Sequence, residues 1–206
     1  KIFLGRKTLM KTRKTLILIG ITAVSLALVY LFFFGFPENK ASSPKEFTIG
    51  SPFSLIDHRG MVITEKDFLG HPSALFFGFT HCPEVCPTTM SKLSILLDEL
   101  GTKAKQIKVY FVTLDPDRDT PEVLMNYLSA FNERFIAITG NTNDVESLAN
   151  SWKVYWKRTK TSDGSYTLDH TASVLLLNSK SNFVGTIGWK EETAVALEKL
   201  KRLAKK

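Results

Sequence analysis

The segment Ser73-Ala-Leu-Phe-Phe-Gly-Phe79, running directly into Thr80-His81-Cys82-Pro83-Glu84-Val85-Cys86-Pro87, decides how this sequence is read. A short apolar run rich in aromatics predicts a buried strand. Pro87 suits the first turn of a helix, where its missing N–H needs no partner. Met90, Leu93, Leu96, Leu97 and Leu100 then recur at helical spacing, and Gly101 can end the helix. The two cysteines therefore fall on a strand-to-helix turn, at or near a helix N-terminus.

Working outward, Ile107 to Leu114 predicts a second buried strand. Thr120 and Pro121 open a helix that carries Val123, Leu124, Tyr127, Leu128 and Phe131. Phe135 to Thr139 reads as a strand and Asn143 to Trp152 as a short helix. Ser173 to Leu177 and Phe183 to Ile187 flank the turn signal Asn178-Ser179-Lys180-Ser181-Asn182 and predict a hairpin. Glu191 to Leu203 closes the chain as an amphipathic helix, with Ala194, Leu197, Leu200 and Leu203 on one face. Strands alternating with helices, then a hairpin and a final helix, predict an α/β domain with helices on both faces of a mixed sheet. A strand, a dithiol turn, a helix and a later hairpin before the last helix is the order of the thioredoxin-like fold, an analogy of fold and not of function.

The chain has 206 residues and a net charge of +7, which raises the question of nucleic acid. The charge is misplaced for that role. Lys1, Arg6, Lys7, Lys11, Arg13 and Lys14 precede residue 15 without an acid among them; setting these six aside from the 27 basic residues leaves 21 against 20 acidic ones. The body of the protein is nearly neutral and offers no basic nucleic-acid-binding face. From Thr15 to Pro37 there is no charged residue. At about 1.5 Å per residue such a run is long enough, as a helix, to cross a bilayer core, and it exceeds the apolar stretch of a cleaved signal. The expected organisation is a basic cytoplasmic tail over 1–14, a transmembrane anchor over 15–37, a polar linker over 38–45 and a domain over 46–206. Positive residues before the span put that domain outside. The simplest location is a bacterial inner membrane with the domain in the periplasm; a mitochondrial inner membrane facing the intermembrane space has the same topology.

There are two cysteines, four positions apart. A disulfide closing so short a loop restrains few unfolded conformations and stabilises little, so a close pair at the surface suggests chemistry. A thiol at a helix N-terminus meets unpaired N–H groups and the positive end of the macrodipole, and both favour the thiolate that attacks disulfides and binds metals. The spacing is C-x-x-x-C and not the C-x-x-C of the usual dithiol redox motif. One cysteine pair with few histidines does not make a structural zinc site; soft thiolates with an imidazole suit copper better. Four histidines compete to be the third ligand. His58, in Asp-His-Arg-Gly, and His71, between Gly70 and Pro72, read as solvated loop residues. His81 adjoins Cys82, but neighbouring side chains on an extended turn diverge, so it reads as support or tuning for the thiols. His170, in Asp169-His170-Thr171 just before a strand, is balanced between a ligand and a polar strand-end residue.

At Gly78-Phe-Thr-His-Cys-Pro-Glu-Val-Cys-Pro-Thr-Thr-Met90 the chain resembles the Sco/SenC family of copper-binding cytochrome c oxidase assembly proteins. Two further segments agree in order and spacing. Leu114-Asp-Pro-Asp-Arg-Asp-Thr-Pro-Glu122 is similar to the family's acidic stretch, and Asp169-His-Thr-Ala172 to its distal histidine motif. The resemblance covers roughly residues 45 to 205 and implies a thioredoxin-like domain in which Cys82, Cys86 and His170 bind copper, as Cu(I), Cu(II) or both. It also implies work on cytochrome c oxidase subunit II: delivery of copper to its binuclear centre, or reduction of its cysteines, after loading by a copper donor protein. The reading favours a metallochaperone over an enzyme. The alternative is a thiol–disulfide oxidoreductase using Cys82 and Cys86 as redox-active residues; a peroxidase of peroxiredoxin type is weaker. Met90, where the family often has Leu, is expected to pack and not to ligate. For Asp115, Asp117, Arg118 and Asp119 two readings stand side by side: a loop that docks a partner or supports the site, and a charged, capped loop leading into a helix. The stretch lacks the glycine and terminal glutamate of an EF-hand calcium loop.

Overall fold

The computed structural model describes residues 50–205, together with residues 21–26 and 29–30. The expected basic tail (1–14), transmembrane anchor (15–37) and linker (38–45) lie outside the described residues, apart from 21–26 and 29–30, which are helical and exposed. Among the described residues no helix is long and apolar enough to cross a membrane.

Residues 50–205 fold around a seven-stranded mixed sheet, as the alternation of elements predicts. Its strands are β1 (Ser54–Asp57), β2 (Val62–Thr64), β3 (Ser73–Gly78), β4 (Lys108–Thr113), β5 (Phe135–Thr139), β8 (Ser173–Leu177) and β9 (Phe183–Gly188), in the spatial order β2-β1-β5-β4-β3-β8-β9. A separate two-stranded sheet pairs β6 (Trp156–Lys160) with β7 (Tyr166–His170). The helices are α1 (Val85–Leu100), α2 (Pro121–Leu128), α3 (Thr142–Ser151) and α4 (Thr193–Leu203).

The centre of the sheet is parallel. β3 pairs with β4 from Ser73↔Lys108 to Gly78↔Thr113, and β4 pairs with β5. Every residue of β3, and every residue of β4 after Lys108, is buried. That uninterrupted burial is what parallel strands covered on both faces require, and it explains why SALFFG and KVYFVT read as continuous apolar runs. β8 lies on the other side of β3 and runs antiparallel, with Ser73↔Leu177 and Leu75↔Leu175. The start of β8 thus lies at the same end of the sheet as the ends of β3 and β4. Leu114 N–H donates to the Gly78 carbonyl at 2.7 Å, tying those two ends together. The cysteine turn, the Asp115–Asp119 loop and the segment around His170 all emerge there.

Local chemistry sets the helix ends. Met90, Leu93, Leu96, Leu97 and Leu100 form the buried face of α1, and Gly101, at φ 55°, closes it as expected. Met90 is fully buried and packs, as read from the sequence. The Thr120 hydroxyl accepts from Val123 N–H at 3.3 Å at the start of α2. Other boundaries differ from the sequence reading. α3 starts at Thr142 and not at Asn143, because the Asn141 side chain caps it by accepting from Asp144 N–H at 3.0 Å. α4 starts at Thr193 and not at Glu191, whose carboxylate instead accepts from Gly188 N–H and Lys199. Its buried face is Ala196, Leu200 and Leu203, with Ala194 exposed.

Leu96 sits in the middle of the helix that carries Cys86 and is fully buried. Leu96→Ala should cost about 3 kcal/mol of stability through lost burial and the cavity left behind, seen as a lower urea midpoint with an unchanged slope.

Candidate metal centre

Cys82 lies on the turn after β3, with its N–H donating to the Phe79 carbonyl at 3.3 Å, and Cys86 is the second residue of α1. The expectation of a thiol pair at a helix start holds; the expectation that it lies at the surface does not. Cys86 is fully buried and Cys82 keeps 9% of its surface exposed. The reason is a glycine. A Cβ on Gly78 would meet Cys86 Sγ at 2.7 Å and the Phe111 ring at 2.8 Å, so the sulfur occupies the space over a strand residue without a side chain. Gly78 took no role in the sequence reading, although an isolated glycine inside a strand pattern marks close approach of another group.

Both thiols are free. Cys86 N–H donates to Cys82 Sγ at 3.4 Å, and Cys86 Sγ lies 3.5 Å from His170 Nε2. One donor atom from each of Cys82, Cys86 and His170 falls within 4.8 Å of the other two. The sulfurs share one proton unequally. A hydrogen bond from the Cys86 thiol holds Cys82 well below the ordinary thiol range; His170 and the N–H groups of Cys86 and Glu84 act in the same sense, against the opposing effect of burial. The bond to Cys82 and burial push the Cys86 thiol up. Cys82 is therefore the sulfur that gives up its proton first.

His170 is the last residue of β7 and half-buried. Its Nδ1 lies 3.0 Å from the Thr171 carbonyl, an acceptor, so Nδ1–H donates to it and Nε2 is the ring nitrogen that faces the sulfurs. Phe79 meets the ring edge-on, with centroids 5.8 Å apart. The three other histidines are elsewhere. His81 is exposed and stands outside the three-donor group, its Nδ1 3.1 Å from Thr80 Oγ1. His58 and His71 are half-buried and hydrogen-bonded, not solvated as turn composition suggests. His58 Nδ1 accepts from Ala137 N–H at 3.2 Å, and His71 contacts the Asp67 carbonyl and the Ser73 hydroxyl at 3.0 and 3.1 Å. Burial lowers the pKa of both.

Asp119, fully buried, braces the cysteine turn. Its carboxylate accepts from Thr80 N–H at 3.0 Å, Thr80 Oγ1 at 2.6 Å and Thr113 Oγ1 at 2.6 Å. Of the two readings of this loop, support of the site is the one these contacts favour. The role of Thr80 and Thr113 has no signal in the sequence, because it depends on the parallel pairing of β3 with β4.

The donor set suits a soft ion. An ion bonded at about 2.0–2.3 Å to two thiolates and one imidazole needs donors roughly 3.5–4 Å apart, and the 3.5 Å approach of Cys86 to His170 together with the 4.8 Å limit on all three lies within a small adjustment of that spacing. Two sulfurs and one nitrogen are ligands of the kind Cu(I) prefers and Cu(II) accepts.

Comparison with known proteins adds a further finding. The SCO1/SenC family profile matches residues 41–205. The mitochondrial protein SCO1 homolog 1 of Arabidopsis thaliana is 36% identical over 141 residues, 68% of this chain and 42% of that protein. The SCO2-like protein RP587 of Rickettsia prowazekii is 36% identical over 138 residues, 66% of this chain and 67% of its own. The match thus spans less than half of the plant protein and two thirds of the rickettsial one. Among solved structures, Bradyrhizobium japonicum ScoI with copper bound is similar at a TM-score of 0.70 and 38% identity, over 76% of this chain and 99% of that one.

Two outcomes check the geometry. Between about pH 6 and pH 8 the alkylation rate of Cys82 should be nearly flat, whereas an unperturbed thiol near 8.5 gains roughly two orders of magnitude over that range; mass spectrometry after pulsed iodoacetamide labelling reads it, with Cys86 unlabelled in the folded protein. Gly78→Ala should displace the Cys86 sulfur and weaken copper binding about tenfold or more, measured by competition with a chromophoric chelator.

Proposed function

The chain belongs to the SCO1/SenC family, and we propose that it is a copper metallochaperone that assists assembly of the binuclear copper centre of cytochrome c oxidase subunit II. The observation that carries this reading is the convergence of Cys82, Cys86 and His170, two thiols and an imidazole from segments far apart in sequence, within 4.8 Å of one another. Copper is the cargo. Cys82, Cys86 and His170 hold it, and two thiolates with one nitrogen favour Cu(I). Cys86 is the buried anchor, while Cys82 and His170 lie at the accessible side and are the ligands a receiving protein reaches first. The Thr171 carbonyl keeps the His170 lone pair on the site by holding the other ring proton. We place the domain in the periplasm, tethered by residues 15–37 to the inner membrane and loaded by a copper donor protein; the intermembrane space of mitochondria is the equivalent alternative.

The low-pKa outer thiolate favours a second role for the same pair. Cys82 Sγ attacks a partner disulfide, forming a mixed disulfide and releasing one partner thiolate. Cys86 then attacks Cys82 Sγ, closing the Cys82–Cys86 disulfide and releasing the second partner thiol with its proton. The partner gains two electrons and the dithiol loses them. His170 is not needed for this reaction.

Anaerobic titration with Cu(I) and Cu(II) separates the roles. The reduced protein should bind one copper per chain. Cys82→Ser and Cys86→Ser should lose at least a hundredfold in Cu(I) affinity, because each removes one of only two soft ligands. His170→Ala should weaken copper binding while leaving reduction of a model disulfide intact. Unchanged affinity of His170→Ala for both oxidation states removes His170 from the ligand set, and that result with disulfide reduction intact favours the oxidoreductase.

A further inference from the structure

The hairpin that carries His170 is a structural problem. β6 and β7 pair only with each other, from Trp156↔His170 to Lys160↔Tyr166, and lie outside the seven-stranded sheet. An isolated two-stranded ribbon is marginal in water. A ligand at its end is no better placed than the ribbon itself.

The acidic loop after β4 supplies the missing hold. Asp115 is fully buried. Its carboxylate accepts from the Tyr166 hydroxyl at 2.8 Å and from Arg118 Nε. Arg118 Nη1 in turn donates to the Tyr166 carbonyl at 3.2 Å, and its guanidinium carbon sits 3.8 Å from the centre of the Tyr166 ring. Arg158, from β6, approaches the same ring at 4.1 Å and donates to Asp117 at 3.0 Å. Three of the four charged residues between 115 and 119 therefore grip the hairpin, and the fourth, Asp119, holds Thr80 on the cysteine side. Tyr166 stands four residues before His170 on one strand, so Tyr166, Leu168 and His170 share a face. Leu168 is buried in the core. A tilt of Tyr166 moves His170 with it.

We propose that Asp115, acting through Tyr166 and Arg118, is a positioning residue that fixes the β6–β7 hairpin and thereby sets where His170 meets the two sulfurs. The inference rests on the copper reading only for its consequence; the brace itself belongs to the metal-free protein. It turns the Asp115–Asp119 loop into a clamp whose two ends hold the two halves of the site, one by Asp115 and one by Asp119.

The test is a double-mutant cycle on copper affinity with wild type, Tyr166→Phe, His170→Ala and the double variant, accompanied by amide hydrogen exchange of the metal-free proteins. Tyr166→Phe removes only the hydroxyl that meets Asp115 and keeps the ring between its cationic neighbours, so the fold survives. It should lower copper affinity about tenfold when His170 is present and change nothing further in His170→Ala, since a positioning effect vanishes with the group it positions. The absorption bands of the copper-loaded protein should shift in Tyr166→Phe and be restored in no variant lacking His170. In the metal-free state, amides of Tyr166–His170 should exchange faster, with β3 and α1 unchanged. An equal loss of affinity in both backgrounds, or no loss in either, overturns the proposal. If wild type takes up no copper, the copper reading fails and hydrogen exchange alone judges the brace: unchanged protection of Tyr166–His170 in Tyr166→Phe overturns it.

Discussion

β8 runs antiparallel to β3 on one side while β4 runs parallel to it on the other, and this arrangement fixes where chemistry can occur. The end of β3, the end of β4 and the start of β8 are forced to one end of the sheet. Residues separated by more than eighty positions, Cys86 and His170, come within 3.5 Å there. β3 and β4, which carry the cysteine side of the site, are buried almost throughout, so the scaffold is rigid there. Ligands held by a rigid scaffold lose little freedom on binding an ion, which is how a three-donor site can be formed without a large ordering cost.

Burial of two carboxylates at the same end carries an energetic risk that the loop resolves locally. An unpaired carboxylate in a dry interior is strongly unfavourable. Asp119 is satisfied by three donors from Thr80 and Thr113, and Asp115 by Tyr166 and Arg118. Networks of this kind are costly when incomplete and rigid when complete. Their value here is specificity of placement, since each carboxylate reaches across from its own loop to a segment bearing a ligand.

Much of this was legible in the sequence. Phe76, Phe77 and the helical spacing of Leu93, Leu96, Leu97 and Leu100 are local signals, and local signals give strands and helices. Cys82 and Cys86 stand out as chemistry, whereas His170 is balanced between a ligand and a strand-end residue until the three-motif resemblance joins it to them. What the sequence does not display is long-range or polar. Trp156–Lys160 and Tyr166–His170 carry too few apolar residues to announce a hairpin, because that ribbon leans on Arg118 and Asp115 in place of a continuous apolar face. Gly78 looked like one more small residue in an apolar run; its meaning required the Cys86 sulfur to be placed over it. His58 and His71 looked solvated because their turns are polar, yet each finds backbone partners only after β5 and the segment around Asp67 fold back on them.

Copper held as proposed means one ion on two sulfurs and one imidazole nitrogen of a single chain. X-ray absorption at the copper edge, on the reduced protein loaded with one equivalent of Cu(I), measures this most directly. The expected nearest neighbours are two sulfur scatterers and one nitrogen scatterer from imidazole, at roughly 2.0–2.3 Å. A shell of sulfur alone, or of nitrogen and oxygen without sulfur, contradicts it.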